Sequence, residues 1–308
     1  MTSLLFSAPA YDYLAQALAR DGGFECGEVQ RDVFPDGEHY LRLRTSVADR
    51  HVVVVGGTIT DAATIELYDL ACAIVENGSA TLTLVVPWYG YATQDRAVIA
   101  GEAVTAKTRA RLLSSIPAAK LANEILLLDL HSEGIPHYFE GTIHPRHIYG
   151  KPLIEALARE LAGATDFVIG STDAGRAKWV ESLARDLFVP AAFVYKRRRG
   201  PESTEVSAVS MRFNGETVVI YDDMIRTGTS LVNAARAYRE AGAGRIVAIA
   251  THGVFANDAF TKLKACGLFA AIACTDSHPN ALALREQGLI VKSCSPLFLP
   301  FLTARSTT

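Results

Sequence analysis

Cysteine is scarce in this chain: five residues, Cys26, Cys72, Cys266, Cys274 and Cys294, with no Cys-x-x-Cys pair among them. So few and so scattered, they exclude a disulfide framework and give no zinc signature, and a reducing, cytoplasmic setting is the expectation. Long hydrophobic runs are missing as well. Nowhere do about 18 apolar residues follow one another, and the opening MTSLLFSAPAYDYLAQALARDGG has neither a basic start nor a long apolar core. No membrane contact is expected; Leu14, Ala17 and Leu18 fit the buried side of a helix instead. Neither sign of charge dominates. The 30 Lys plus Arg against 33 Asp plus Glu leave a formal −3, which gives no global pull toward nucleic acid or anionic lipid. Any polyanion must meet a local patch. Repeats, low-complexity tracts and Pro-rich linkers are absent too.

What is present is apolar material in a regular order. The 308 residues, 49% of them hydrophobic, suffice for real cores and, at about 150 residues each, for two domains. HVVVV at His51 reads as a buried strand, Asp61 as the cap of a helix to Asn77 with Gly78 as its stop, and Thr81–Val86 as a strand again. The cycle recurs as ILLLDL from Ile125, a helix opened by Pro152 and ended near Gly163, and FVIG from Phe167. Repeated strand, helix, strand implies an α/β protein with parallel sheets covered on both faces. A hairpin is expected from Glu205 to Tyr221, turning at Asn214-Gly215.

The most informative segment is VVIYDDMIRTGTS, Val218 to Ser230. An apolar strand delivers Asp222 and Asp223 to its carboxyl end, and a Thr-Gly-Thr-Ser turn then opens a helix. Backbone N–H groups at that start, with the hydroxyls of Thr227, Thr229 and Ser230, form a nest for a monophosphate. The carboxylates suit sugar hydroxyls or a phosphate-bound metal. The densest cationic run, Lys196 to Arg199, leaves the strand AAFVY for a polar stretch and is expected on a loop. Alone, such a run reads as a solvated basic patch.

The Val218–Ser230 segment resembles the phosphoribosyl-binding loop shared by phosphoribosyltransferases and ribose-phosphate diphosphokinases, the synthases of phosphoribosyl pyrophosphate (PRPP). Further segments choose between the two. FPDGEHYLRL, VVPWYGYATQDR, DLHSEGIPHYF, STDAGRAKW, KRRRGPESTEV and THGVF stand in the order and at roughly the spacing of PRPP synthases. That resemblance implies two phosphoribosyltransferase-like, Rossmann-like α/β domains with open, mostly parallel sheets. Residues 1–147 would form the nucleotide side, with the tail 290–308 a candidate to rejoin it, and 148–289 would carry the sugar-phosphate loop. It implies transfer of the β,γ-diphosphoryl group of ATP to the anomeric hydroxyl of ribose 5-phosphate, giving PRPP and AMP, with Mg2+ as cofactor, in a homo-oligomer between dimer and hexamer. Such a transfer needs charge neutralisation and positioning more than covalent help.

By the same resemblance Lys196 and Arg198 are the catalytic pair on a flap over the ATP phosphates, and His131 and Asp173 meet the metal. Phe34, Asp36, Glu38, Gln94, Asp95, Arg96 and His131 face ATP, and Asp222, Asp223, Thr227, Gly228, Thr229 and Ser230 hold the ribose phosphate. Imidazole is an unusual partner for hard Mg2+, so contact with one metal–phosphate unit is expected rather than a protein cage. Three positions depart from the family. Thr93 replaces the usual Arg before Gln94; Arg176 follows Gly175 where a second small residue is usual; Arg226 replaces an acidic residue. Arg176 either replaces a lost charge or crowds the site. These changes leave open the same transfer to another ribose-5-phosphate derivative, such as ADP-ribose. A non-catalytic regulatory subunit is a third reading, against which stands the retention of His131, Asp173, Lys196 and Arg198.

Overall fold

The computed structural model describes residues 3–163, 166–198 and 204–303, with side chains at 196–198 and 204–207 left aside. Arg199 of the cationic run, the polar stretch at 200–203 and the last residues of the tail lie outside the described residues. The chain divides into two compact units, Met1–Tyr149 with Ser293–Thr308, and Gly150–Lys292.

In the first unit the strands are β1 (Leu4–Ser7), β2 (Glu25–Cys26), β3 (Val29–Val33), β4 (His39–Leu43), β5 (His51–Val55), β6 (Thr81–Val86), β7 (Ala122–Leu128) and β8 (Ile143–Ile148). Its helices α1 (Asp12–Gly22), α2 (Asp61–Glu76) and α3 (Thr105–Ser114) lie between them. The second unit runs through α4 (Lys151–Ala162), β9 (Phe167–Ser171), α5 (Ala177–Leu187), β10 (Ala191–Ala192), β11 (Val194–Arg198), β12 (Thr204–Val209) and β13 (Thr217–Ile225). It continues with α6 (Thr229–Glu240), β14 (Arg245–Gly253), α7 (Ala259–Ala265), β15 (Ala271–Thr275), α8 (Asn280–Ala283) and β16 (Ile290–Lys292). A last helix, α9 (Ser295–Thr303), belongs to the first unit.

Each unit is built on a six-stranded, all-parallel sheet: β2-β1-β5-β6-β7-β8 in the first and β10-β9-β13-β14-β15-β16 in the second. The apolar runs explain why. A strand covered on both faces is rich in apolar residues and buried along its length, as TLTLVV of β6 is, with Thr81 and Thr83 its only polar positions. Period-two alternation then splits the cores: Val52 and Val54 face Leu67, Leu70 and Ile74 of α2, whereas Val53 and Val55 pack with Leu14, Leu18 and Phe298. In the second unit Val218 and Ile220 lie with Leu231 and Tyr238, and Val219 and Tyr221 with Leu157, Val180 and Leu183. Among the described residues no helix is long and apolar enough to cross a membrane.

Three local expectations change. The cap of α2 is Thr60, whose hydroxyl accepts from the Ala63 N–H at 3.1 Å, and Asp61 sits in the first turn. The Glu205–Tyr221 hairpin does not form: β12 pairs antiparallel with β11, while β13 enters the sheet parallel to β9 and β14. Gly215 does turn with φ +96°, but the turn is tied to the loop after α6 through Phe213 N–H to Ala241 O and Gly215 N–H to Gly242 O. An Asn-Gly pair reports only a reversal, and burial of TVVIY decides where the next strand goes. The described part of the cationic run is not a loop either; Lys196 and Arg198 lie on β11, opposite Val206 and Thr204 of the antiparallel ribbon.

Candidate active site

In the second sheet the chain leaves β9 toward the β10 edge and leaves β13 toward β14, so the strand order reverses between β9 and β13. Such a reversal opens a crevice at the carboxyl ends of the two strands, the usual place for a ligand in an open α/β sheet. The register deepens it. The β13–β9 ladder stops at Tyr221 opposite Ser171, whereas β13 stays on β14 as far as Ile225 opposite Gly253. Asp222 and Asp223 therefore emerge beyond the end of β9.

These two carboxylates are set in a tight polar cluster. Thr172 Oγ1 donates to Asp222 Oδ2 at 3.0 Å, and the Asp223 N–H donates to Asp222 Oδ1 at 3.0 Å. The Arg176 guanidinium reaches both acids, with Nη2 against Asp223 Oδ2 and Nε 3.8 Å from Asp222 Oδ1. Burial, with the neighbouring Asp223 charge adding to it, raises the Asp222 carboxyl above the ordinary carboxylate range, and Arg176 and Thr172 pull the other way. Asp173 is half-buried, and its Oδ1 accepts from the Gly175 N–H at 2.9 Å, capping the short turn Ala174–Arg176.

Downstream the chain turns through Gly228, at φ +76°, into α6. The first N–H groups of a helix have no partner inside it, and here they are flanked by the exposed Thr227, Thr229 and Ser230. Thr227 Oγ1 and Thr229 Oγ1 stand 3.3 Å apart. The cluster thus places two carboxyl groups beside a donor-rich helix start, an arrangement that can take a polyol at one end and a phosphate at the other. The equivalent reversal in the first sheet, between β1 and β5, is filled: a Cβ on Gly57 would lie 2.3 Å from Tyr11 Oη, and one on Gly56 2.8 Å from Leu67.

The expected nucleotide residues lie in the first unit, at two places. Phe34, Asp36 and Glu38 form the exposed tip of the β3–β4 ribbon, closed by Phe34 N–H to Glu38 O at 2.8 Å and Glu38 N–H to Asp36 Oδ1 at 3.1 Å. Gln94, Asp95 and Arg96 follow β6, with Gln94 Oε1 accepting from Thr105 at 2.7 Å. Tyr138 donates to the Asp95 carbonyl at 2.6 Å and so ties this loop to the segment after β7, where His131 is exposed. Just before His131, Asp129 holds φ +36°, a strained conformation for a non-glycine residue. Lys196 and Arg198 are described by backbone alone.

Residues 3–116 match the family model described as the N-terminal domain of ribose phosphate pyrophosphokinase, and 171–290 the phosphoribosyl synthetase-associated domain. A ribose-phosphate pyrophosphokinase of Synechococcus elongatus is 34% identical over 278 residues, 89% of this chain and 82% of that protein. The chain belongs to the ribose-phosphate pyrophosphokinase family. It is an enzyme of that family. A Corynebacterium efficiens member is 32% identical over 96% of this chain and 92% of its own length. The crystal structure of phosphoribosylpyrophosphate synthetase from Mycobacterium smegmatis covers 99% of both chains, with a TM-score of 0.86 at 28% identity.

Within this pyrophosphokinase fold the departures have definite places. Arg176 lies on the carboxylate pair, and Arg226 is exposed just before the turn, its carbonyl accepting from the Ala256 N–H at 2.9 Å. Thr93 is exposed beside Gln94. Sequence reasoning missed Thr172 and Tyr138 as site-shaping residues. Thr172 stood inside the quoted STDAGRAKW segment, one residue ahead of Asp173, and its position past an apolar strand was the available signal.

Proposed function

We propose that the chain catalyses Mg2+-dependent transfer of the β,γ-diphosphoryl group of ATP to the anomeric hydroxyl of ribose 5-phosphate. The anomeric oxygen bonds to the β-phosphorus, and the bond from that phosphorus to the oxygen bridging to the α-phosphate breaks. AMP leaves with that oxygen, the anomeric proton passes to solvent, and PRPP is the second product. Names carried by relatives support this substrate pair. The observation that carries the reading is the meeting of Asp222 and Asp223 with the Thr227–Ser230 helix start at one strand reversal. Carboxylates accept from ring hydroxyls, and the helix start, with its hydroxyls, receives the 5-phosphate.

The donor chemistry fits Mg2+, which takes oxygen ligands and binds through one or two protein groups plus phosphates. Asp173 offers a half-buried carboxylate, and among the described residues no group of three His, Cys, Asp or Glu closes around one point. Asp173 and His131 are the residues proposed to meet the ion, which when bound would neutralise charge on the transferring group. Lys196 and Arg198, two positions apart on β11, would stabilise charge building on that group and on the AMP oxygen. Phe34, Asp36, Glu38 and Gln94–Arg96 would hold the nucleotide.

Incubation with ATP, ribose 5-phosphate and Mg2+ is expected to yield AMP and PRPP in equal amounts, with loss of both on chelation. Lys196→Ala should reduce turnover by about 100-fold or more. Wild-type protein that releases no AMP under these conditions would overturn the proposal. AMP release that appears only with ADP-ribose would move the acceptor to that larger ester. The homo-oligomer, proposed between dimer and hexamer, is read by light scattering.

A further inference from the structure

Arg176 stands where the family pattern has a small residue, yet its side chain is not a loose surface cation. It is 17% exposed and touches both carboxylates of the acceptor pocket, whose side chains are 16% and 7% exposed. Two devices aim it. Asp173 caps the turn that carries Arg176, through the Gly175 N–H. Trp179, in the first turn of α5, stacks on Tyr221 with ring centres 3.8 Å apart and planes 8° from parallel, and Tyr221 is the residue bonded to Asp222. The start of α5 is thereby locked to the strand end that presents the two acids.

We propose that Arg176 is a positioning residue for the acceptor: its guanidinium aims Asp222 and Asp223 and offsets their charge, so that both accept ring hydroxyls with no metal between them. The inference rests on the acceptor reading given above and deepens it. Two adjacent carboxylates removed from water cannot both ionise cheaply, and a proton on one of them costs the pair acceptor capacity. A guanidinium supplies the countercharge in a fixed plane, and each carboxylate has more lone-pair sites than Arg176 occupies. The pair then carries one net negative charge instead of two, which lowers its attraction for a divalent ion. The groups facing Asp222 are Asp223 on its own strand and Thr172 and Arg176 from the segment after β9. On the other side β14 presents Ala250 at the same register, and its nearest ionisable residue, His252, is paired with Met224.

The test is calorimetric binding of ribose 5-phosphate to the full chain, without ATP or metal, between about pH 6 and 9. Wild type, Arg176→Ala and Arg176→Lys are compared, each checked for folding by its thermal transition. Arg176→Ala is expected to bind about tenfold more weakly, and its affinity should keep rising at a pH where the wild type has levelled off. Arg176→Lys, which restores the charge without the planar fork, should recover the wild-type pH profile and part of the affinity. If Arg176→Ala binds equally or more tightly, Arg176 blocks the pocket and the proposal fails. A pH profile of folded Arg176→Ala that superimposes on that of the wild type overturns it too. Because no turnover is measured, a wild type that binds ribose 5-phosphate but releases no AMP would sink the proposed reaction while leaving these binding comparisons decisive for Arg176.

Discussion

At Gly228 two constraints coincide. The backbone holds φ +76°, a region that penalises any Cβ, and an added Cβ would meet Leu263 at 2.8 Å. Gly228→Ala is expected to cost about 1–2 kcal/mol of stability, read from the denaturant midpoint, and to weaken ribose 5-phosphate binding, because the turn aims the start of α6. A second residue-scale prediction concerns Asp222, whose carboxyl is raised by burial and by Asp223. Between its unfolded and folded values the folded state holds a proton that the unfolded chain has lost. Stability should therefore fall as pH rises through that window, being fully present below the ordinary carboxylate value. Asp222→Asn removes the titration and should flatten the slope of unfolding free energy against pH above 4. An unchanged slope would contradict the assignment. The pairing of Arg176 with these acids was not legible in the sequence, because its cause is the adjacency of β9 and β13, and residue types alone carry no sign of it.

Elements were legible where burial dictates composition. HVVVV, TLTLVV and FVIG have no alternative to a covered parallel strand, and Gly163 ends α4 at φ +69°, as a left-handed stop should. The ribbons were hidden for the same reason in reverse. VQRDV and HYLRL are largely polar or exposed, and their turn at Pro35-Asp36-Gly37, with Gly37 at φ +93°, joins strands that carry no apolar run to mark them. The start of α2 shows how two good capping residues compete. Thr60 and Asp61 are adjacent, but Thr60 has the extended backbone of a cap (φ −142°, ψ 169°), and Asp61 instead binds Tyr91 and Arg109. Thr60→Ala should lower stability by about 1 kcal/mol, measured by chemical denaturation. Asp61→Ala should act through Arg109 of α3, an exposed ion pair, and cost less.

On the scale of the whole chain, the first unit is completed from the far end of the sequence. Residues Gly150–Lys292 form a unit of their own between β8 and α9, and α9 then brings Phe298 and Leu302, 0% and 3% exposed, into the core that holds Tyr11, Leu14 and Leu18. Ser295 Oγ also lies 3.5 Å from Asp21 Oδ2 at the end of α1. The first sheet thus has one face closed by α2 and α3 and another that α1 covers in part and α9 completes. Hydrophobic burial is contributed by whichever segment supplies the area, whatever its place in the sequence. Phe298→Ala removes a fully buried ring, a change that costs about 3–5 kcal/mol when the cavity cannot collapse. The two tryptophans offer a direct readout, since Trp88 lies in the first unit and Trp179 in the second. In a Trp179→Phe background, where Trp88 alone fluoresces, Phe298→Ala should move the unfolding transition to lower denaturant, and a transition left in place would show that α9 adds nothing to the first unit.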